Sequence, residues 1–216
     1  MPLVLKVDQD PSPSEGVIRQ AAQIVLSGGV LAFPTETFYG LAALASDREA
    51  VQRVYVLKRR PPDKSLSILI ADLAELENWV ATIPTEAYHL MVRFWPGPLT
   101  LVFAATEHLP TNLTANTGKV GVRISANPIA RALVRAVGAP ITATSANRSG
   151  EPSCRSSAEV LTQLGADLEA VLDAGLTPGG KVSTIADVST RPPRILRTGA
   201  IAAQEVLSCW QQGAQV

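Results

Sequence analysis

Helix starts and stops punctuate this chain at short intervals, and the stretches between them are brief runs rich in β-branched and apolar residues. Ser12-Pro13-Ser14-Glu15 reads as a capping box with proline at the first helical position. Val17, Ala21, Ile24 and Val25 follow at helical spacing, and Gly28-Gly29 stops the helix. Residues 30–33 form an apolar strand that halts at Pro34. Asp47 opens a helix toward Lys58, with Val51, Val54 and Tyr55 inward. A strand over 66–70 and a second capping box at Asp72 and Glu75 come next, then a helical run from Glu86 to Phe94. Strands at 99–104 and 119–125 precede a helix that starts at Asn127-Pro128 and reaches Gly138. Residues 140–144 read as a strand. A third box, Ser156 to Glu159, starts a helix that closes at Gly165. Strands at 170–173, 182–188 and 194–197 and a last helix near 202–211 complete the pattern. This alternation predicts an α/β fold with a twisted, open, mixed sheet flanked by helices. The wholly apolar strands at 30–33 and 66–70 predict a sheet covered on both faces.

No repeat, linker or low-complexity tract divides the 216 residues, so the expectation is one domain over 1–216. An apolar fraction of 46% against 18% charged excludes intrinsic disorder. No apolar run approaches the roughly 18 residues of a membrane span. The first residues lack the cationic and apolar regions of a signal peptide, which predicts a cytoplasmic protein. Cys154 and Cys209 stand too far apart for a metal pair and are too few for a disulfide framework. His89 and His108 belong to no ligand cluster, so no protein-held metal is expected.

Charge narrows the function classes further. Nineteen basic and nineteen acidic residues cancel, unlike the balance of a strongly basic nucleic-acid binder. The cancellation is not local. No acid lies between Glu107 and Glu151, a stretch holding Lys119, Arg123, Arg131, Arg135 and Arg148. Lys58, Arg59, Arg60 and Lys64 surround a single acid, Asp63. Such segregation builds a positive cleft on a neutral protein and concentrates anions there. Arg131 and Arg135, four apart on a helix, fit a solvated face instead. Lys58 and Arg60 fit either a helix end favoured by the dipole or a phosphate site. Arg123 stands inside an apolar strand, where a buried guanidinium requires a partner.

Open α/β sheets bind ligands at strand-ending loops. Four candidates stand out: residues 34–40, 58–64, 145–150 and 179–184. Thr35, Thr37, Ser145 and Asn147 are good oxygen-binding groups and equally good turn formers. Gly175 to Lys181 matches the glycine-lysine half of a phosphate-binding P-loop, but Val182 stands where Ser or Thr should hold magnesium, and a strand follows where a helix should. A glycine-rich turn joining two strands is the better reading. Tyr39, Trp79 and Trp95 read as core residues.

Five segments in order resemble one family. Gly29-Val30-Leu31-Ala32-Phe33-Pro34-Thr35-Glu36-Thr37-Phe38-Tyr39-Gly40-Leu41 is similar to the opening motif of the YrdC-type threonylcarbamoyl-AMP synthases. Lys58-Arg59-Arg60-Pro61 with Lys64 resembles their K-x-R signature, and Trp95-Pro96-Gly97-Pro98-Leu99-Thr100 their central turn. Val122-Arg123 with Pro128, and Thr144-Ser145-Ala146-Asn147-Arg148-Ser149-Gly150, complete the set. The match spans roughly residues 15–200 and is closest to the short, single-domain form.

The resemblance implies a YrdC-like fold with a large, concave, positive groove. It implies synthesis of threonylcarbamoyl-AMP from L-threonine, bicarbonate or CO2, and ATP, with release of pyrophosphate. Magnesium would accompany ATP. The product would feed a partner complex that modifies adenosine in tRNA. By motif match Lys58 and Arg60 would act on the triphosphate as the catalytic pair. Lys64, Lys119, Ser145, Asn147, Ser153 and Arg197 would contact the nucleotide, while Thr37, Arg123, Ala143 and Ser183 would hold threonine. Two positions depart from the family: Lys181-Val182 precedes Ser183 where many members carry Glu, and Leu69 replaces a polar residue near the threonine pocket. Two other readings stay open: a carbamoyl-adenylate former related to hydrogenase-maturation enzymes, without their CxxC modules, and a non-catalytic module binding tRNA or double-stranded RNA.

Overall fold

Strand and helix do alternate, in a computed structural model that describes residues 1–8 and 14–213. Ser12 and Pro13, the front of the first expected capping box, lie outside the described residues. In chain order the elements are β1 (Leu3–Lys6), α1 (Glu15–Leu26), β2 (Leu31–Phe33), β3 (Gly40–Ala42), α2 (Arg48–Lys58) and β4 (Ser67–Leu69). Then come α3 (Thr85–Phe94), β5 (Leu99–Ala104), β6 (Lys119–Arg123), α4 (Pro128–Val137), β7 (Ile141–Thr142) and β8 (Thr144–Ser145). The last are α5 (Ser157–Leu164), β9 (Ala170–Asp173), β10 (Thr184–Asp187), β11 (Arg194–Arg197) and α6 (Ala203–Gly213).

Local chemistry sets these boundaries. The Asp47 carboxylate accepts from the backbone N–H of Glu49 and Ala50, and Asn127 caps α4 in the same way through Ile129 and Ala130. Ser156 accepts from Glu159 N–H, while the Glu159 carboxylate accepts from Arg155 N–H. The box at Asp72 and Glu75 yields only a 3-10 turn, Leu73–Asn78. Asp72 makes no cap bond there and pairs instead with Arg135 on α4. The glycine-rich stretch does link two strands, β9 and β10.

The α/β class holds, but the expected single mixed sheet resolves into two. Five strands run in the order β1-β9-β2-β3-β8 and six in the order β11-β10-β5-β6-β4-β7, each sheet mixing parallel and antiparallel pairs. The cause lies at residues 141–145, where the sequence predicts one strand over 140–144 and a loop from Ser145. Ile141 and Thr142 pair with β4, whereas Thr144 and Ser145 pair with β3 in the other sheet. Thr142 fastens the crossing: its hydroxyl donates to the Leu41 carbonyl at 2.8 Å and accepts from Ala43 N–H at 3.0 Å.

Two cores follow. Alternation along β2 sends Ala32 to one and Leu31 and Phe33 to the other, so this strand is covered on both faces. The smaller core fills the space under α1 and α4 with Leu5, Ile18, Val25, Ile129 and Leu133. The larger joins α2, α3, α5 and α6 to one face of the six-stranded sheet through Ile68, Leu99, Leu101, Phe103, Val120 and Val122. Each such large apolar side chain contributes about 1.5–3 kcal/mol on burial. The opposite face of that sheet meets the smaller core at Leu69 and Ile141, and the candidate site lies over the rest of it.

Candidate functional site

Period-two geometry builds the floor of this site. Val120 and Val122 point into the core, so Lys119, Gly121 and Arg123 face the other way. Ser67 and Leu69 of β4, Thr100 and Val102 of β5, Ile185 and Asp187 of β10, and Arg194 and Leu196 of β11 share that face. The walls come from loop 34–40, loop 60–65 and residues 143–145, and the enclosed groove measures about 920 Å³. Gly121 keeps the floor open: a Cβ there would stand 2.7 Å from Ser67 Oγ and 3.0 Å from Thr100 Cγ2.

Hydrogen bonds tie the wall loops to one another. Gly179 N–H donates to the Thr37 carbonyl and Ala146 N–H to the Tyr39 carbonyl. The Tyr39 hydroxyl, buried as expected, donates to the Gly175 carbonyl. Lys58 links the second loop to the third. Its ammonium donates to the carbonyls of Ser145 and Asn147, and its own carbonyl accepts from Ser149 N–H. Arg59 makes this possible by taking a left-handed conformation at φ 50°, which closes α2 and lets Arg60 N–H bond back to the Tyr55 carbonyl. Lys58 then points inward and Arg60 toward the groove.

Nine of the twelve sequence-nominated residues line the groove: Thr37, Arg60, Lys64, Lys119, Arg123, Ala143, Ser145, Ser183 and Arg197. Lys58, Asn147 and Ser153 do not. Lys58 is only 1% exposed and lies under the third loop. Burial first, and the Arg60 charge second, push its pKa down to about 7. Asn147 is buried, its amide donating to the carbonyls of Arg148 and Glu151, so it holds the loop in shape. Ser153 is half-buried beside Cys154, whose carbonyl accepts from Tyr39 N–H.

The cations differ in what neutralises them. Arg60 donates to the carbonyls of Lys64 and Ser65, and Arg197 to the carbonyl and hydroxyl of Ser183. Among the described residues neither guanidinium has a carboxylate in ion-pair contact. Burial, followed by the charges of Arg123 and Arg60, lowers the pKa of Arg197. Arg197 therefore senses both other guanidinium groups of the groove. Lys119 and Arg123 are paired instead. Lys119 Nζ lies 2.9 Å from the buried carboxylate of Asp187, which also accepts from Ser189. Arg123 donates through Nε to the Gly97 carbonyl at 3.1 Å and stands 2.5 Å from Glu36. Burial alone would raise Glu36, but the Arg123 charge and the Ser125 hydroxyl outweigh it and hold its pKa below the ordinary value.

Sequence reasoning did not nominate Glu36, Gly121, Asp187 or Arg194. Two of them carried a signal. Glu36 is the sole acid between Glu15 and Asp47, and Asp187 interrupts the apolar run Ile185-Ala186-Asp187-Val188. The logic that singled out Arg123, a charge in an apolar strand needing a partner, applies equally to Asp187. Among the described residues no three His, Cys, Asp or Glu side chains gather in a way that could hold a metal ion. No helix of the described residues is long and apolar enough to cross a membrane.

Comparison with known proteins gives a consistent picture. A family model named Sua5_yciO_yrdC, described as "Telomere recombination", matches residues 23–199. A threonylcarbamoyl-AMP synthase of Pyrococcus abyssi is 43% identical over 192 residues, covering 89% of this chain and 56% of that protein. One from Alkalilimnicola ehrlichii is 39% identical over 178 residues, covering 82% and 89%. The crystal structure of P. abyssi Sua5 complexed with L-threonine superposes with a TM-score of 0.90 at 39% identity, covering 97% of this chain and 60% of that one. The chain thus spans a little over half the length of some relatives and most of others.

Proposed function

This chain belongs to the Sua5–YciO–YrdC family, and from that premise we propose that it makes threonylcarbamoyl-AMP from L-threonine, bicarbonate or CO2, and ATP. The threonine amine adds to CO2 and loses a proton, giving a carbamate. A carbamate oxygen attacks the α-phosphorus, the bond to the bridging oxygen breaks, and pyrophosphate leaves. Negative charge grows on the phosphoryl oxygens and the leaving group, so the protein's task is to hold two anions together and neutralise them.

The observation that carries this reading is the convergence of Arg60, Arg123 and Arg197 on one groove. Arg60 and Arg197, which lack acid partners, suit the triphosphate, with Lys64 beside them. Arg123, already paired, suits the single carboxylate of threonine, with Thr37, Ala143 and Ser183 around it. Leu69, aligned with Arg123 in the sheet, gives the amino acid an apolar neighbour. Ser145 and Lys119 contact the nucleotide from the wall and the floor. Lys58 acts from beneath, fixing the backbone of Ser145 and Asn147 that forms the wall. Asn147 and Ser153 shape the same wall. Magnesium travels with ATP on phosphate oxygens and water, which suits a groove without a carboxylate cage. In this reading residues 1–216 act as one cytoplasmic catalytic domain that passes its product to a tRNA-modifying complex.

The test is pyrophosphate release. Purified protein with ATP, bicarbonate and L-threonine should release it only when threonine is present. Arg60→Ala should raise the KM for ATP and Arg123→Ala that for threonine, each cutting turnover at least a hundredfold. Release driven by carbamoyl phosphate would favour the carbamoyl-adenylate alternative. Salt-sensitive RNA binding without turnover would favour a binding module.

A further inference from the structure

Glu36 has no place in the chemistry above, yet it is tied to the residue nominated for the substrate carboxylate. It pairs with Arg123 but is not among the residues that line the groove, unlike its neighbours Thr35 and Thr37. One carboxylate oxygen faces Arg123 Nη2 at 2.5 Å without the alignment of a hydrogen bond, and neither atom has a hydrogen-bond partner among the described residues. The other oxygen accepts from Ser125, which also accepts from Asn127 N–H at the start of α4. Arg123 Nε is occupied by the Gly97 carbonyl. Two edges of the guanidinium are thus fixed by protein groups, leaving the remaining edge for the groove.

We infer that Glu36 is a positioning and specificity residue: it sets the plane of the Arg123 guanidinium and cancels much of its charge, so that this end of the groove accepts a monoanionic carboxylate and rejects a polyphosphate. The contrast with Arg60 and Arg197 carries the argument, since those guanidiniums hydrogen-bond only to neutral groups and, among the described residues, have no carboxylate in ion-pair contact, Asp63 acting on Arg60 from beyond that range. A guanidinium paired with a carboxylate offers directed hydrogen bonds with little net field, which suffices for one carboxylate. A polyanion gains most from net charge and goes where the charge is uncompensated. Without Glu36 the three guanidiniums would form one undivided cationic surface, and a triphosphate could lie across the amino-acid end.

The inference rests on the proposed function for the identity of the carboxylate ligand, so its test is equilibrium binding rather than turnover. Tripolyphosphate and L-threonine are titrated separately into wild-type and Glu36→Gln protein by calorimetry. Glu36→Gln should bind tripolyphosphate about tenfold more tightly, from the loss of one opposing charge, and threonine no more tightly than wild type. The tightening should vanish in the Glu36→Gln/Arg123→Ala double variant, as a double-mutant cycle requires for a direct pair. Unchanged tripolyphosphate affinity, or a gain that persists without Arg123, overturns the inference. Should Glu36→Gln not fold, Glu36→Asp keeps the charge and shortens the reach: it should weaken threonine while leaving tripolyphosphate unchanged, and equal weakening of both would count against the idea. If wild type binds no threonine, the proposed function fails, and the tripolyphosphate comparison still decides the role of Glu36.

Discussion

Lys58 shows how one residue is read differently by sequence and structure. Its charge, its place at a helix end and its motif are all visible in the sequence. Its burial is not, because burial depends on a left-handed turn at Arg59 and on a loop about 90 positions away. In the folded chain its pKa falls from 10.5 to about 7, burial being the first cause and Arg60 the second. Between those values the unfolded chain holds a proton at this site that the folded chain does not. Unfolding free energy therefore rises with pH from about 7 to about 10.5, and the full penalty of burying the charge is present below 7. Urea unfolding at pH 6.5, 8 and 9.5 should show a gain of about 1 kcal/mol per pH unit that is smaller in Lys58→Met. Equal slopes in the two proteins would refute the assignment. Gly121 is a second case at this scale. Glycine inside a strand signals a close approach, but the sequence does not say to what. The structure answers with Ser67 and Thr100. Gly121→Val must displace Ser67 and Thr100 on the neighbouring strands, so it should lower the unfolding midpoint and also weaken ATP binding at least tenfold in direct titration.

At the scale of elements, legibility followed the strength of local signals. Capped helices and strands with clear stops were readable: α2, α4, α5, β5, β9 and β11 begin or end within a residue or two of the expected positions. β1 and β3 were not, because three or four apolar residues without a turn signal carry no distinguishable period. The strand expected at residues 140–144 failed for another reason. Their sequence suits one strand, and only tertiary pairing divides them between sheets. That division makes Thr142 a joint rather than a strand residue. Thr142→Val would keep its shape but leave the Ala43 N–H without its acceptor, at a cost of about 2 kcal/mol. Chemical unfolding should show the loss, along with reduced activity, because Ala143 and Ser145 follow directly. The end of α2 offers a change of opposite sign. Arg59 is exposed at φ 50°, where an L side chain is strained. Arg59→Gly should stabilise the protein by roughly 0.5–1 kcal/mol, and no change in the unfolding midpoint would argue against strain at that cap.

For the whole molecule, a net charge of zero conceals a division of charge that the sequence shows only as segregation along the chain. Folding brings Arg60 and Arg123 close enough to act on Arg197 and, among the described residues, places a carboxylate in ion-pair contact with Arg123 alone of the three, Asp63 acting on Arg60 from farther off. The free protein therefore carries uncompensated repulsion in the groove, held there by the backbone carbonyls and hydroxyl that fix Arg60 and Arg197. Raising a 1:1 salt from 10 to 150 mM shortens the screening length from about 30 Å to about 8 Å. Screening should relieve the repulsion and weaken attraction for a polyanion at the same time. Stability and ligand affinity should then move in opposite directions. The melting temperature should rise by about 2 °C, because the exposed ion pairs that salt also weakens, such as Arg93–Glu205 and Arg135–Asp72, are each worth little. ATP affinity should fall severalfold over the same range, by titration at fixed magnesium. Arg197→Gln removes one of the repelling charges and keeps a donor for Ser183, so it should flatten both responses. If salt moved stability and affinity the same way, or if Arg197→Gln responded like wild type, the source of the salt dependence would lie outside the groove, and the charge division between its two ends would lose its physical basis.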